Sequence, residues 1–195
     1  MIPNLIELEI NIMRVLGKKA SFIQYRVSKY NPSDRDSKGR FLKEDWTSYC
    51  DIGKKFENKI FTKEEYIKAE EKYCQIILSV LKDLMVEKLK VENLEMGHSL
   101  IQLKNMLEEV GLTLSAKDEL ILKTIENKNR VNDLELQNYL RLLLRECFWC
   151  ELKDNSLMIT TGYDFYVYIF SLIPISNKII EESREEGIYI EKMTL

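Results

Sequence analysis

The sequence predicts an α+β domain: a mostly antiparallel sheet of about five strands packed with about six helices. Helical and alternating periodicities succeed one another in irregular order, without the regular strand–helix repeat of a doubly wound sheet. A chain of 195 residues that is 45% hydrophobic can bury a sizeable core without disulfides or metal. Only 7 Gly and 3 Pro leave little room for linkers, so residues 1–195 read as a single domain.

In residues 4–16, Leu5, Ile6, Leu8, Ile12, Met13, Val15 and Leu16 share a helical face, and Gly17 is a C-terminal stop. Phe22, Tyr25, Val27 and Tyr30 predict a strand over 20–30, closed by Asn31-Pro32. Residues 31–61 have no sustained period and read as a long loop with short ordered pieces. Thr62 and Glu65 form a capping box that starts a helix. Tyr66, Ala69, Tyr73, Ile76, Val80 and Leu84 make one stripe on it; Ile67, Cys74, Leu78, Leu81 and Met85 make a second. So wide an apolar face belongs to a central helix with a wetter first half.

KLKVENLEM alternates and predicts a second strand. Helices follow at 99–110, ended by Gly111, at 116–127, started by Ser115 with Asp118 three positions on, and at 133–146, started by Asn132 with Glu135 in the capping position. Phe148 to Leu152 reads as a strand, Asp154-Asn155-Ser156 as a turn, and Leu157 to Phe170 as one long central strand bulging at Gly162. Ser176 or Asn177 caps a short helix to Glu186, Gly187 stops it, and Ile188-Tyr189-Ile190 is the last strand.

Twenty-nine basic and 32 acidic residues give a net charge of -3, so no global positive field draws in a polyanion, although a local patch stays open. The N-terminal run carries Glu7, Glu9 and Asn11 and no small-residue cleavage site, unlike a signal peptide, and no apolar stretch approaches spanning length. The expected location is the cytoplasm, with reduced cysteines and no membrane partner.

Catalytic signatures are sparse. Cys147-Phe148-Trp149-Cys150 is the one CxxC. It falls where a helix runs into a strand, whereas a redox pair needs its first thiol at a helix N-terminus, and Cys50, Cys74 and His98 do not stand at zinc-motif spacing. His98, at a strand–helix junction, reads as a cap or surface residue against the alternative of a general base. No GxSxG, phosphate loop, HExxH or EF-hand pattern occurs. Glu64-Glu65, Glu70-Glu71 and Glu185-Glu186 read as solvated helix faces. No catalytic residue, metal or cofactor is expected. The order helix 116–127, helix 133–146, hairpin 148–170 also matches a winged helix, with Arg141 and Arg145 on the candidate recognition helix; this nucleic-acid-binding regulator is the alternative reading.

The stretch RDSKGRFLKEDWTSYCDIG remains. Asp34, Arg35, Asp36, Lys38, Gly39 and Arg40 form a mixed-charge hairpin tip. Behind it Trp46 either plugs one edge of the core, with Asp51 capping a turn at Gly53, or stands on a loop held rigid by Thr47, Ser48 and Asp51 to meet a protein partner.

The strings KYNP…R…G.F…DWTSYCDIG, FTKEEYIKAEEKY, FWCELK…TTGYDFYVYI and GIYIEK, spread from Tyr30 to Lys192, resemble a family of small bacterial proteins with EWTS-x-x-DIG and GYDYYMY-type strings: immunity proteins of contact-dependent inhibition and related polymorphic toxin systems. Asp45 stands where that family more usually has Glu, and Cys50, Phe165 and Val167 also depart from its pattern. The resemblance implies a non-catalytic cytoplasmic protein that binds and neutralises a cognate toxin domain through complementary charge. The residues it points to are Asp34, Arg35, Asp36, Arg40 and Asp45, the anchors Trp46 and Tyr49 if exposed, and Glu64 and Glu65 at the acidic helix start. Glu181 to Glu186 is a further acidic patch.

Overall fold

A computed structural model of the chain describes residues 22–193; the helix expected at 4–16 lies outside them. Seven strands form one antiparallel sheet and two more a separate hairpin, so the expected five undercount it, and five α-helices are described. In chain order the elements are β1 (Ile23–Ser28), the hairpin β2 (Lys55–Phe56) and β3 (Lys59–Ile60), α1 (Lys63–Asp83), β4 (Lys88–Glu95), α2 (Leu100–Glu109), α3 (Ala116–Thr124), β5 (Arg130–Asn132), α4 (Asp133–Leu144), β6 (Trp149–Lys153), β7 (Leu157–Thr161), β8 (Val167–Ser171), α5 (Asn177–Glu185) and β9 (Tyr189–Lys192). The sheet order is β5-β4-β6-β7-β8-β1-β9. Among these residues no helix is long and apolar enough to cross a membrane.

Side-chain oxygens set the helix starts. Thr62 accepts from the Glu65 amide at 3.2 Å while Glu65 accepts from the Thr62 amide at 3.0 Å, and Ser99 and Ser115 close the same reciprocal box with Gln102 and Asp118. Ser176 caps α5. α3 stops three residues short of expectation, because Ile125 turns extended and the chain goes on to pair as β5, a strand too short to show alternation.

The long strand expected over 157–170 is instead two strands joined by a tight turn. The Gly162 amide donates to the Tyr166 carbonyl at 2.8 Å, and Asp164 and Phe165 both take left-handed backbone, with φ of 58° and 60°. A Cβ on Gly162 would stand 2.5 Å from Tyr168 Cε2, which is why this position is glycine. Both strands are central, with partners on either side. The 148–170 segment is therefore the middle of a sheet, not the projecting wing of a winged helix.

One face of the sheet, with Leu89, Val91, Leu152, Ile159, Ile169 and Val27, joins the helices in a single core. α1 packs against α4 and α5 as a central helix should, burying Tyr73, Ile77, Val80 and Leu81 in its second half. The first half is wetter except at Tyr66 and at Glu70, a carboxylate 2% exposed and not on a solvated face. Arg145 explains it: Nε and Nη2 each reach a Glu70 oxygen at 2.7 Å, and Nη1 donates to the Thr113 carbonyl at 3.0 Å. Burial pushes the Glu70 carboxyl up, against the guanidinium that favours its charge.

Arg141 is spent in the same way on buried Asp118, 2.5 Å from its oxygen. Hydrogen bonds from Ser115, Arg141 and Asn138 outweigh burial and hold the Asp118 carboxyl below its ordinary range. Arg141 of α4 and Arg145 just past its end thus clamp α3 and α1, and the basic stripe that base reading requires is missing from this helix.

Removing one partner of a buried charge pair leaves the other uncompensated, at a cost of about 3–5 kcal/mol. Arg145→Met should lose stability of that order in urea titration, and Glu70→Met/Arg145→Met should recover most of it. Equal losses in both variants would refute this account of the pair.

Candidate functional site

The segment from Asn31 to Phe61 is irregular in trace, yet it is internally bonded along its whole length. Asn31 Oδ1 accepts from the Ser33 amide at 3.0 Å and starts a 3-10 turn, Pro32–Asp34. Asp36 accepts from the Lys38 and Arg40 amides at 2.9 Å each, closing a tip in which Gly39 has φ 78°. Those bonds, led by the Arg40 amide, lower the Asp36 pKa. Arg35 pairs with Phe41 across the tip through its backbone and turns its side chain inward, 7% exposed, onto the Tyr166 hydroxyl and Glu191.

The second half closes on Asp51. Its Oδ2 accepts from the Thr47 amide at 2.7 Å and the Ser48 amide at 3.3 Å, and Oδ1 accepts from Lys54 Nζ at 2.7 Å. Asp51 therefore caps backward, completing a box with Ser48, whereas Gly53 is held by the Phe61 carbonyl. Burial opposes its ionisation, but the bonds from Lys54 and Thr47 outweigh burial and depress its pKa.

Between these halves Trp46 lies flat on Phe61, ring centroids 4.4 Å apart, with Phe165 at its edge at 4.8 Å. Phe165 also meets Tyr66 and Tyr73 at 5.6 and 4.8 Å. Lys29, at the end of β1, sets its ammonium 4.1 Å from both the Tyr30 and Trp46 rings and 2.5 Å from Asp45. Burial drives its pKa down to about 8, opposed by the Asp45 hydrogen bond and charge.

Trp46 and Tyr49 are 8% and 2% exposed, so neither is available as an interface anchor. Of the two readings of Trp46, the core plug holds. Asp45, Trp46 and Glu65 come together at one groove of about 410 Å³. Glu64 is exposed on the adjacent first turn of α1. Asp34, Asp36 and Arg40 belong instead to the separate tip, where Asp34 holds Lys43 at 2.7 Å.

Residues not anticipated from sequence complete the groove. Phe41, Phe56 and Ile60 line it, Ile60 59% exposed; Leu42, 67% exposed, follows Phe41 in the chain; and Glu44 and Glu57 form no ion pair among the described residues. Leu42 and Ile60 lie in unpatterned sequence, where neither exposure nor adjacency can be read. The hairpin wall carries left-handed Glu57 and Asn58, φ 44° and 68°, the two-residue turn that matches strand twist.

The CxxC pair lies elsewhere. Cys147 and Cys150 are buried, and burial pushes both thiols up to about 12, the wrong direction for a reactive thiolate. Among the described residues no group of three His, Cys, Asp or Glu could hold a metal ion. Chemically, the groove offers an apolar floor and a charged rim in which Lys43, Lys59 and Asp45 are paired, with Asp34, Glu65 and Lys29, and Glu44 and Glu57 supply the unpaired, acidic excess.

No protein-family model, curated protein or solved structure matches the chain.

Lys29 makes stability depend on pH. The unfolded amine titrates near 10.5 and the folded one near 8, so between those values the unfolded chain holds the extra proton and stability rises with pH. The shift is worth about 3 kcal/mol. Wild type should gain on Lys29→Met by up to that amount across this window, followed by urea titration at each pH; a difference independent of pH would sink the explanation.

Proposed function

We propose that the chain is an immunity protein: a non-catalytic cytoplasmic protein that binds a cognate bacterial toxin domain and neutralises it by covering its working surface. The observation that carries this reading is the meeting of the two most distinctive resembling strings. DWTSYCDIG and TTGYDFYVYI lie more than a hundred residues apart in sequence, and they join through Trp46 and Phe165 at 4.8 Å. Neither string supplies a reacting group. Together they hold fixed the loop whose outer side is the groove.

Rigidity is what a tight binder needs, since a loop already bonded in place loses little conformational freedom on docking. The exposed pair Leu42 and Ile60 supplies apolar area beside the groove, and the rim carboxylates Glu44 and Glu57 favour approach of a cationic surface. The partner is a protein domain, with no nucleic acid or membrane in the assembly.

Co-expression with the C-terminal domain encoded immediately upstream tests the reading. A complex that survives gel filtration, together with restored growth, is expected. Ile60→Asp and Glu44→Lys should each weaken that complex about 10- to 100-fold, or roughly 1.4–3 kcal/mol, without lowering the melting temperature. Failure of the upstream domain to bind or to be neutralised would remove the proposal, whereas full binding by both variants would move the interface away from the groove.

A further inference from the structure

The face of the sheet turned away from the helices carries an arrangement that the toxin-binding reading does not use. Register places Arg130 opposite Lys90, Lys90 opposite Lys153, Lys153 opposite Met158, and Met158 opposite Phe170. Three cations thus stand directly across from one another on the neighbouring strands β5, β4 and β6, where like charges repel, and the row then turns apolar.

Glu92 answers part of this charge, accepting from Lys90 at 2.6 Å and Lys153 at 2.7 Å, and Glu151 accepts from Lys153 at 3.0 Å. The side chains of Lys88 and Arg130 are left with no ion pair or hydrogen bond among the described residues. Both line a cavity of about 430 Å³, a volume suited to a small organic ligand. Phe22 and Met158, from the small apolar cluster on this face, line it too, together with Asp154 and Asn155. The turn that presents Asn155 is fixed, because Asp154 Oδ1 accepts from the Ser156 and Leu157 amides at 2.8 Å each.

We propose that this cavity is a binding site for a small organic phosphate bearing an aromatic ring, of the nucleoside diphosphate class. The phosphates lie over Lys88 and Arg130, the two cations left over once Glu92 and Glu151 are matched against Lys90 and Lys153. The ring rests on Phe22 beside the Met158 end of the row, and the Asn155 amide is placed to meet its polar edge. A carboxylate alone would use the cations and waste the apolar side; a neutral ring would do the reverse. Binding here needs no contact with the groove at the 41–61 loop, so the inference stands apart from the proposed function.

Calorimetric titration of the full chain with ADP tests it, with adenosine and pyrophosphate as separate arms. ADP should bind, with adenosine and pyrophosphate each at least tenfold weaker, and affinity should fall as salt screens the cations. Arg130→Gln and Lys88→Gln should each weaken ADP about tenfold, and Phe22→Ala should weaken ADP while leaving pyrophosphate unchanged. The melting temperature of each variant without ligand reports its folding. No ADP binding at millimolar concentration overturns the proposal, as does pyrophosphate binding as tightly as ADP. Tighter binding of a short oligoadenylate than of ADP also overturns it, by making the cations a nucleic-acid surface.

Discussion

The contact of Phe165 with three other rings is the constraint on which the rest of this structure depends. Phe165 sits in left-handed backbone, a conformation a bulky side chain adopts only when its surroundings over-determine it. Trp46, Tyr66 and Tyr73 do so, approaching at 4.8 to 5.6 Å and gripping the ring from the 31–61 loop and from α1. One side chain thereby joins the central β7–β8 turn, the longest helix and the irregular loop. The loop has no ladder of its own beyond the small β2–β3 hairpin and the Arg35–Phe41 bridge, so its position on the domain is set by this aromatic contact, by Arg35 on Tyr166 and Glu191, by Lys29 on Asp45, and by Tyr30, whose hydroxyl donates to the Trp46 carbonyl at 3.0 Å.

Charge plays two distinct parts around that core. Inside, Glu70–Arg145 and Asp118–Arg141 are geometrically demanding pairs that fix how α4 lies against α1 and α3. Such pairs add less stability than their Coulomb attraction suggests, because each ion had to leave water; their effect is to admit one packing of these helices. Outside, charge is sorted by surface. The groups left without an ion pair among the described residues are acidic at the groove, Glu44 and Glu57, and basic at the β5–β4 end of the opposite sheet face, Lys88 and Arg130. A net charge of -3 conceals this separation, because a sum over the chain contains no positions.

What the sequence determined by itself was local. Thr62, Ser99, Ser115 and Ser176 start helices because a side-chain oxygen meets an amide two or three residues on, and the two apolar stripes of α1 are a periodicity within one element. The mixed α+β class follows from such patterns. So does the bonded character of the loop, through Asp36, Ser48 and Asp51, whose partners are all within a few residues.

Tertiary structure decided everything that needed a distant partner. Glu70 is chemically an ordinary helix carboxylate until Arg145 arrives from 75 residues away. Leu157 to Phe170 reads as one strand because its aromatic and aliphatic run outweighs the turn signals of Gly162 and Asp164, and Phe165 carries no local mark of the left-handed backbone that packing forces on it. Trp46 and Tyr49 have the composition of an interface and the burial of a core, while Leu42 and Ile60, unmarked in sequence, are the apolar side chains left facing solvent in this loop. Burial and the pairing of charges depend on which segments meet, and that is settled by the whole chain packing at once rather than by any window of residues.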